Sequence, residues 1–193
     1  HPKKNIVEIE YKSKYIGPFD GKYIGFYKNN LKKWEVNYKN NKKNGPQKVW
    51  NENGDIERVV NYLNGKKDGN ASFWNINGKK IQQIPYKNDL KNGEEIIWTC
   101  GLKATFNWLK GELFGKETWY YKNGNKELEI NWKYGVENGK EIHWKESGKK
   151  KYELYYTDGI VTSGFLYDSK NKRRKITHFK KDYKIGLYKK LLI

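Results

Sequence analysis

Apolar and polar residues alternate over short stretches of this chain, and glycine punctuates the stretches at a steady interval. Glycines stand at 21, 45, 69, 93, 115, 139, 164 and 186, spaced 24, 24, 24, 22, 24, 25 and 22 residues apart. Such self-similarity is the mark of a repeat array, in which each unit buries its apolar side only against its neighbours. Five residues after each of the first six stands an aromatic: Phe26, Trp50, Trp74, Trp98, Tyr120 and Trp144. A second glycine follows at 54, 78, 101, 124 and 148, and then another aromatic at Tyr62, Tyr86, Trp108, Trp132 and Tyr156, with Tyr38 and Phe179 in the flanking units. A third turn, as in Asn64-Gly65 or Asp158-Gly159, closes each unit.

Short segments rich in β-branched and aromatic residues between Asn-Gly turns predict strands, so each unit is read as one β-hairpin. The alternation can be counted back from the closing aromatic. Two residues before it stand Val36, Val60, Ile84, Phe106, Ile130, Leu154 and Thr177, six of the seven apolar. One residue before it the set is mostly Asn, and three before it Glu35, Glu129 and Glu153 recur. Side chains alternate sides along a strand, so the expected sheet has one aromatic-aliphatic face and one hydrophilic Asn/Glu face turned to solvent. The predicted fold is all-β, an elongated, twisted antiparallel meander of about seven hairpin repeats. Residues 1–20 are read as a capping strand and connection, 21–163 as six repeats, and 164–193 as a degenerate repeat and cap. Gly164 is expected to open a unit that lacks its fifth-position aromatic (Ser169) and whose central turn is the run from Lys170 to Lys175.

The units resemble a known family. Gly65-Lys66-Lys67-Asp68-Gly69, then Trp74, Asn77-Gly78-Lys79-Lys80 and Tyr86-Lys87-Asn88, looks like the bacterial, second-type variant of the MORN repeat, over about residues 20–190. The resemblance implies a single sheet of antiparallel hairpins with an aromatic-lined groove, serving as an interaction scaffold. It also implies kinship with antitoxin-like components and with eukaryotic relatives proposed to contact membranes. Asp89 and Asp182 depart from the pattern by replacing the third-turn glycine, and Asn30 by replacing the second glycine of the first unit.

Composition adjusts this picture. Forty Lys+Arg against 22 Asp+Glu give a formal charge of +18 over 193 residues, but Arg58, Arg173 and Arg174 are the only arginines. The excess is lysine, which lacks the planar fork that reads bases or clamps phosphate bidentately, so nucleic acid is the least favoured anionic partner. No apolar run is long enough for a membrane-spanning helix. The single Cys100 excludes an intramolecular disulfide and a cysteine-based zinc cluster. The chain begins His1-Pro2 without Met, and a secreted or cell-envelope location is expected, with a cytoplasmic one as the alternative.

Candidate chemistry is sparse. His143 and His178 fall on different units and in no metal-ligand spacing, Cys100 has no histidine partner, and pairs such as Glu94-Glu95 and Glu127 with Glu129 read as solvated surface. No catalytic, cofactor or metal residue is assigned, and an enzyme is not expected. Trp119-Tyr120-Tyr121 resembles the doublets of choline-binding repeats but occurs once, so small-molecule or carbohydrate binding has little support. The aromatic rows are the stronger candidate, because a single sheet cannot hide both faces. The expected partner site is one face holding Trp50, Trp74, Trp98, Trp132 and Trp144, with Tyr62, Tyr86, Trp108 and Tyr120 as further candidates. A protein partner is expected, with self-association as a variant and an immunity or antitoxin role as a special case. The alternative is electrostatic binding of an anionic lipid surface or nucleic acid through Lys170, Lys172, Arg173, Arg174 and Lys175.

Overall fold

The computed structural model describes residues 20–177. Sixteen strands form one open antiparallel sheet: β1 (Gly21–Phe26), β2 (Lys32–Lys39), β3 (Lys42–Lys43), β4 (Gly45–Trp50), β5 (Ile56–Leu63), β6 (Lys66–Trp74), β7 (Lys80–Lys87), β8 (Leu90–Lys91), β9 (Gly93–Thr99), β10 (Leu102–Leu109), β11 (Glu112–Tyr120), β12 (Lys126–Lys133), β13 (Val136–Trp144), β14 (Lys150–Thr157), β15 (Ile160–Tyr167) and β16 (Arg173–Lys175). Neighbours in space are neighbours in sequence throughout, with the two-residue β3 and β8 pairing only β2 and β7. The expected all-β hairpin meander is therefore what forms. The expected strand at Ile6–Tyr11, and the expectations for His178, Phe179, Asp182 and Gly186, lie outside the described residues.

Register explains the glycine period. Gly21, Gly45, Gly69, Gly93, Gly115 and Gly139 pair directly with Tyr38, Tyr62, Tyr86, Trp108, Trp132 and Tyr156. Cross-strand partners share a face, so each ring lies beside a residue with no side chain and can cover its backbone. From Gly45 to Gly139 the strand also bulges at these glycines, as at Gly69, whose φ of 94° is in the region that favours glycine. The Asn one residue before the closing aromatic serves the same bulge. Asn61, Asn107 and Asn131 donate from Nδ2 to the carbonyl of the residue after the glycine, at 2.7, 2.7 and 2.6 Å. Those asparagines are bulge braces rather than a solvated fringe.

Two turn types set the unit length. The third turns place both central residues at positive φ, as at Asn64 (51°) and Gly65 (87°), which is the type I′ geometry that matches strand twist. The central turns are longer and are closed by an Asx side chain: Asn51 Oδ1 accepts from the backbone N of Asn53 and Asp55, and Asn75 Oδ1 from Asn77 and Lys79. Cys100-Gly101 departs from this. Its two residues form a tight turn with φ of 46° and 83°, and Leu102 pairs with Thr99 at once. That shortening accounts for the 22-residue spacing from Gly93 to Gly115.

In the last described unit Gly164 is out of step with the repeat glycines: it pairs back with Leu154, as Glu141 pairs with Ile130 one unit earlier, and its φ is not positive. It holds the position that Glu141 holds one unit earlier, because the bulge here has one residue fewer. Tyr167, not Ser169, then stands where Trp144 stood. Lys170 and Lys172 lie in the turn, whereas Arg173–Lys175 extend the sheet as β16 and pair with β15. The run from Lys170 to Lys175 is thus half turn and half strand.

Candidate interaction site

Strand parity divides the aromatic rows between two faces. The front face carries Tyr38, Tyr62, Tyr86, Trp108, Trp132 and Tyr156, together with the midline residues Val36, Val60, Ala71, Ile84, Phe106, Ile130 and Leu154. Its packed centre is Ala104, Phe106, Trp119 and Leu128, flanked by Ile97, Trp108, Leu113 and Ile130. Phe106 and Trp119 meet edge to face at 5.8 Å. Trp50, Trp74, Trp98, Tyr120 and Trp144 stand an odd number of residues from the glycine and fall on the back face. The expected single face built from Trp50, Trp74, Trp98, Trp132 and Trp144 is therefore corrected: only Trp132 of that set is on the front. The Trp119-Tyr120-Tyr121 doublet is no cage either, since Trp119 points into the front core while Tyr121 Oη donates to the Trp144 carbonyl at 2.8 Å.

Lysines cover the rings of the back face. Lys32 Nζ lies 5.6 Å from the Trp50 ring centroid, Lys80 5.3 Å from Trp74, Lys103 5.2 Å from Tyr120, Lys126 5.7 Å from Trp144 and Lys150 5.3 Å from Tyr167. Three of these lysines, Lys32, Lys126 and Lys150, also hold buried carboxylates. Lys22 and Lys32 bind Glu35, Lys116 and Lys126 bind Glu129, and Lys150 binds Glu153. Burial alone would push these three carboxyls up, but the lysine hydrogen bonds and charges outweigh it and each ends below its ordinary value. The back face is thus a lattice of paired charges, and Glu129 is buried rather than solvated as expected.

A second carboxylate row runs along the front, two residues after the glycines. Glu95, Glu117 and Glu141 are 2 %, 3 % and 8 % exposed. Glu95 accepts from Gln82 Nε2 at 2.6 Å and pairs with Lys91 Nζ at 2.7 Å. Glu117 has two indole donors, Trp119 Nε1 at 2.5 Å and Trp132 Nε1 at 2.9 Å. Burial raises its pKa despite those bonds, and Glu141 and Glu137 push it the same way. Glu141 lies 2.7 Å from His143 Nε2, and His143 stacks on Tyr152 at 4.1 Å. Burial, then Glu141, raises the Tyr156 hydroxyl far above its ordinary value. Trp108, which corresponds to Trp132, has a buried Nε1 without a partner, because Glu95 is taken by Gln82 and Lys91. Reading Glu94-Glu95 as solvated holds for Glu94 alone. The signal was available: residues two after the glycine share parity with it, and hence share the aromatic face.

The anion candidates gather at the sheet's C-terminal end. Lys172, Arg173 and Arg174 line a shallow cleft of about 590 Å³ with Lys145, Lys151, Leu166, Tyr167 and Asp168. Arg173 also lies over the Phe165 ring at 4.6 Å. Lys170 and Lys175 are exposed but do not line the cleft. Cys100 is exposed at its turn, and among the described residues no three His, Cys, Asp or Glu side chains gather as a metal site. A comparison with protein-family models finds no match, and a comparison with curated proteins finds none either.

Proposed function

We propose that this chain is a non-enzymatic, MORN-like repeat scaffold that binds another protein through its front face. The observation that carries this reading is the sheet's single layer. Among the described residues no second layer of strands covers the half-buried row from Tyr38 to Tyr156; only lysine side chains lie over it, Lys43, Lys67 and Lys91 over Tyr62, Tyr86 and Trp108. A broad apolar strip with rings and polar tips is the composition of a protein contact centre. The back-face rings are set among the buried ion pairs of Glu35, Glu129 and Glu153 and offer less continuous apolar surface. His143 is already held between Glu141 and Tyr152, which fits a scaffold better than a catalyst. The repeat grammar of glycine, Asn-Gly turn and closing aromatic supports the MORN-like assignment.

The test is capture of partners by the full chain, compared with Phe73→Ser/Arg58→Ser on the front and Trp74→Ser on the back. Loss of a captured protein with the front variant only, little changed between low and moderate salt, is the expected result. Equal loss with both, or capture that salt alone removes, refutes it. A second reading rests on the basic cleft around Lys172–Arg174, which suits an anionic lipid surface; binding of anionic vesicles lost in Arg173→Glu/Arg174→Glu supports it. An immunity role is a special case of the first reading, and co-expression with the product of a neighbouring gene tests it.

A further inference from the structure

From β3 to β13 the front face carries its charges in separate blocks, with Arg174 on β16 standing beyond them. Register puts Lys43, Arg58, Lys67 and Lys91 on it from β3 to β8, and Glu95, Glu117, Glu137 and Glu141 from β9 to β13. One row shows the change most plainly. The residues opposite successive closing aromatics are Lys43, Lys67, Lys91, Leu113, Glu137 and Val161. The first three lie over the next unit's ring, with Nζ 4.8, 4.9 and 4.2 Å from the centroids of Tyr62, Tyr86 and Trp108. The boundary falls at β9 and β10, the middle of the sheet, where the apolar core around Phe106 also sits.

We propose that the front face is the contact between two copies of this chain, packed face to face about a two-fold axis that runs parallel to the strands near β10. This rests on the reading of the front face as a protein-binding surface and names its occupant. Two sheets facing each other about an in-plane two-fold axis can be related in two ways. An axis running across the strands lays the basic block on its own copy, and like charges opposed at a contact disfavour it. An axis parallel to the strands reverses the strand order and lays the basic side of the sheet over the acidic side; next to the axis it sets Glu95 over Glu117, but both are buried and hydrogen-bonded within their own chain. β6 and β13 each lie three strands from β10, so this axis brings Lys67 against the Glu137 of the second copy, twice per dimer. The half-buried Trp108 beside the buried Phe106 then lies near the axis and close to its own copy, as an isologous contact requires.

Sedimentation equilibrium of the full chain at ~0.1 M salt tests this, with circular dichroism confirming that each variant is folded. The expected result is twice the 23.0 kDa chain mass. Lys67→Glu and Glu137→Lys each weaken the dimer by about tenfold or more, and the double reversal restores it to within about threefold. Arg58→Glu serves as a second basic-block variant if Lys67→Glu does not fold. A monomer throughout ~1–100 μM, where a standard-size contact would assemble, overturns the inference, and so does a double reversal no better than either single one. If the chain is monomeric yet Phe73→Ser/Arg58→Ser still abolishes capture of a foreign protein, the dimer falls and the broader reading stands. If those changes alter neither mass nor capture, both fall.

Discussion

Replacing Phe106 by alanine tests whether the middle of the front face is a true core. The ring is 1 % exposed and meets Trp119 edge to face, and its neighbours across the strands are Glu95 on β9 and Glu117 on β11. Removing a fully buried phenyl forfeits about 1.5–3 kcal/mol of transfer free energy, and the ring pair adds about 0.5–1.5. The sheet is one layer, so water can enter the vacated space, and the cavity contribution that raises such losses in closed cores is small. The expected destabilisation is therefore about 3 kcal/mol, toward the low end for a buried ring. Urea unfolding followed by tryptophan fluorescence measures it, with Tyr134→Ala, at a ring 57 % exposed, as a control expected within about 0.5 kcal/mol of the parent. Hydrogen exchange should localise the loss to β9–β12, because each unit touches only its neighbours. A loss under about 1 kcal/mol, or one no greater than the Tyr134 control, refutes the assignment of a packed centre to this face.

Stability should depend on pH from two directions. Glu35, Glu129 and Glu153 have folded pKa values below their ordinary 4.5, so the stability they contribute is present above that value and lost as pH falls through the folded values. Glu117 has the opposite sign: its folded pKa is raised above 4.5, so stability falls as pH rises from 4.5 through the folded value. Glu117→Gln should flatten that neutral-side slope in a plot of Tm against pH, whatever it does to the absolute Tm; an unchanged slope would show that the carboxyl is not buried as described. Gly69→Ala forces a side chain into φ of 94°, with its Cβ 3.3 Å from Asn61 Cβ, and should cost more than the ~1 kcal/mol of an ordinary left-handed alanine, read by thermal unfolding. Cys100 is exposed at φ of 46°, a region that asparagine enters readily, so Cys100→Asn should leave Tm unchanged or raise it slightly. The native thiol should react with a maleimide without unfolding, and a protected thiol would contradict the turn geometry.

The hairpin period was legible because its cause is local: glycine is required at each bulge, and Asn-Gly at each tight turn. The face of each ring was legible in principle and was misassigned, since Trp74 and Tyr86 read alike as aromatic until strand parity relative to Gly69 separates them. Gly164 shows the limit of counting glycines. A one-residue deletion in a bulge moved it to the place of Glu141, and only the pairing with Leu154 reveals the shift. The face of Glu95 and Glu117 could be read from their parity with Gly93 and Gly115, but their burial and that of Glu129 was illegible from residue type, because long neighbouring side chains, not a second layer, exclude water from the midline. The two indole donors to Glu117 come from different strands, and nothing in the separation of Trp119 from Trp132 announces that they converge.

Consecutive pairing also governs how the chain answers tension. The fourteen strands of the main path, about 4.8 Å apart, carry the described segment from Asp20 at one extreme to Thr177 at the other, roughly 60 Å away. A pull between those extremes acts along the hydrogen bonds rather than across them. Interstrand bonds then open a few at a time from the outermost strand inward, like a zip, instead of resisting together in shear. The sheet should therefore extend at low force in steps of one hairpin and re-form in the same increments when released, making it a compliant spacer rather than a stiff rod.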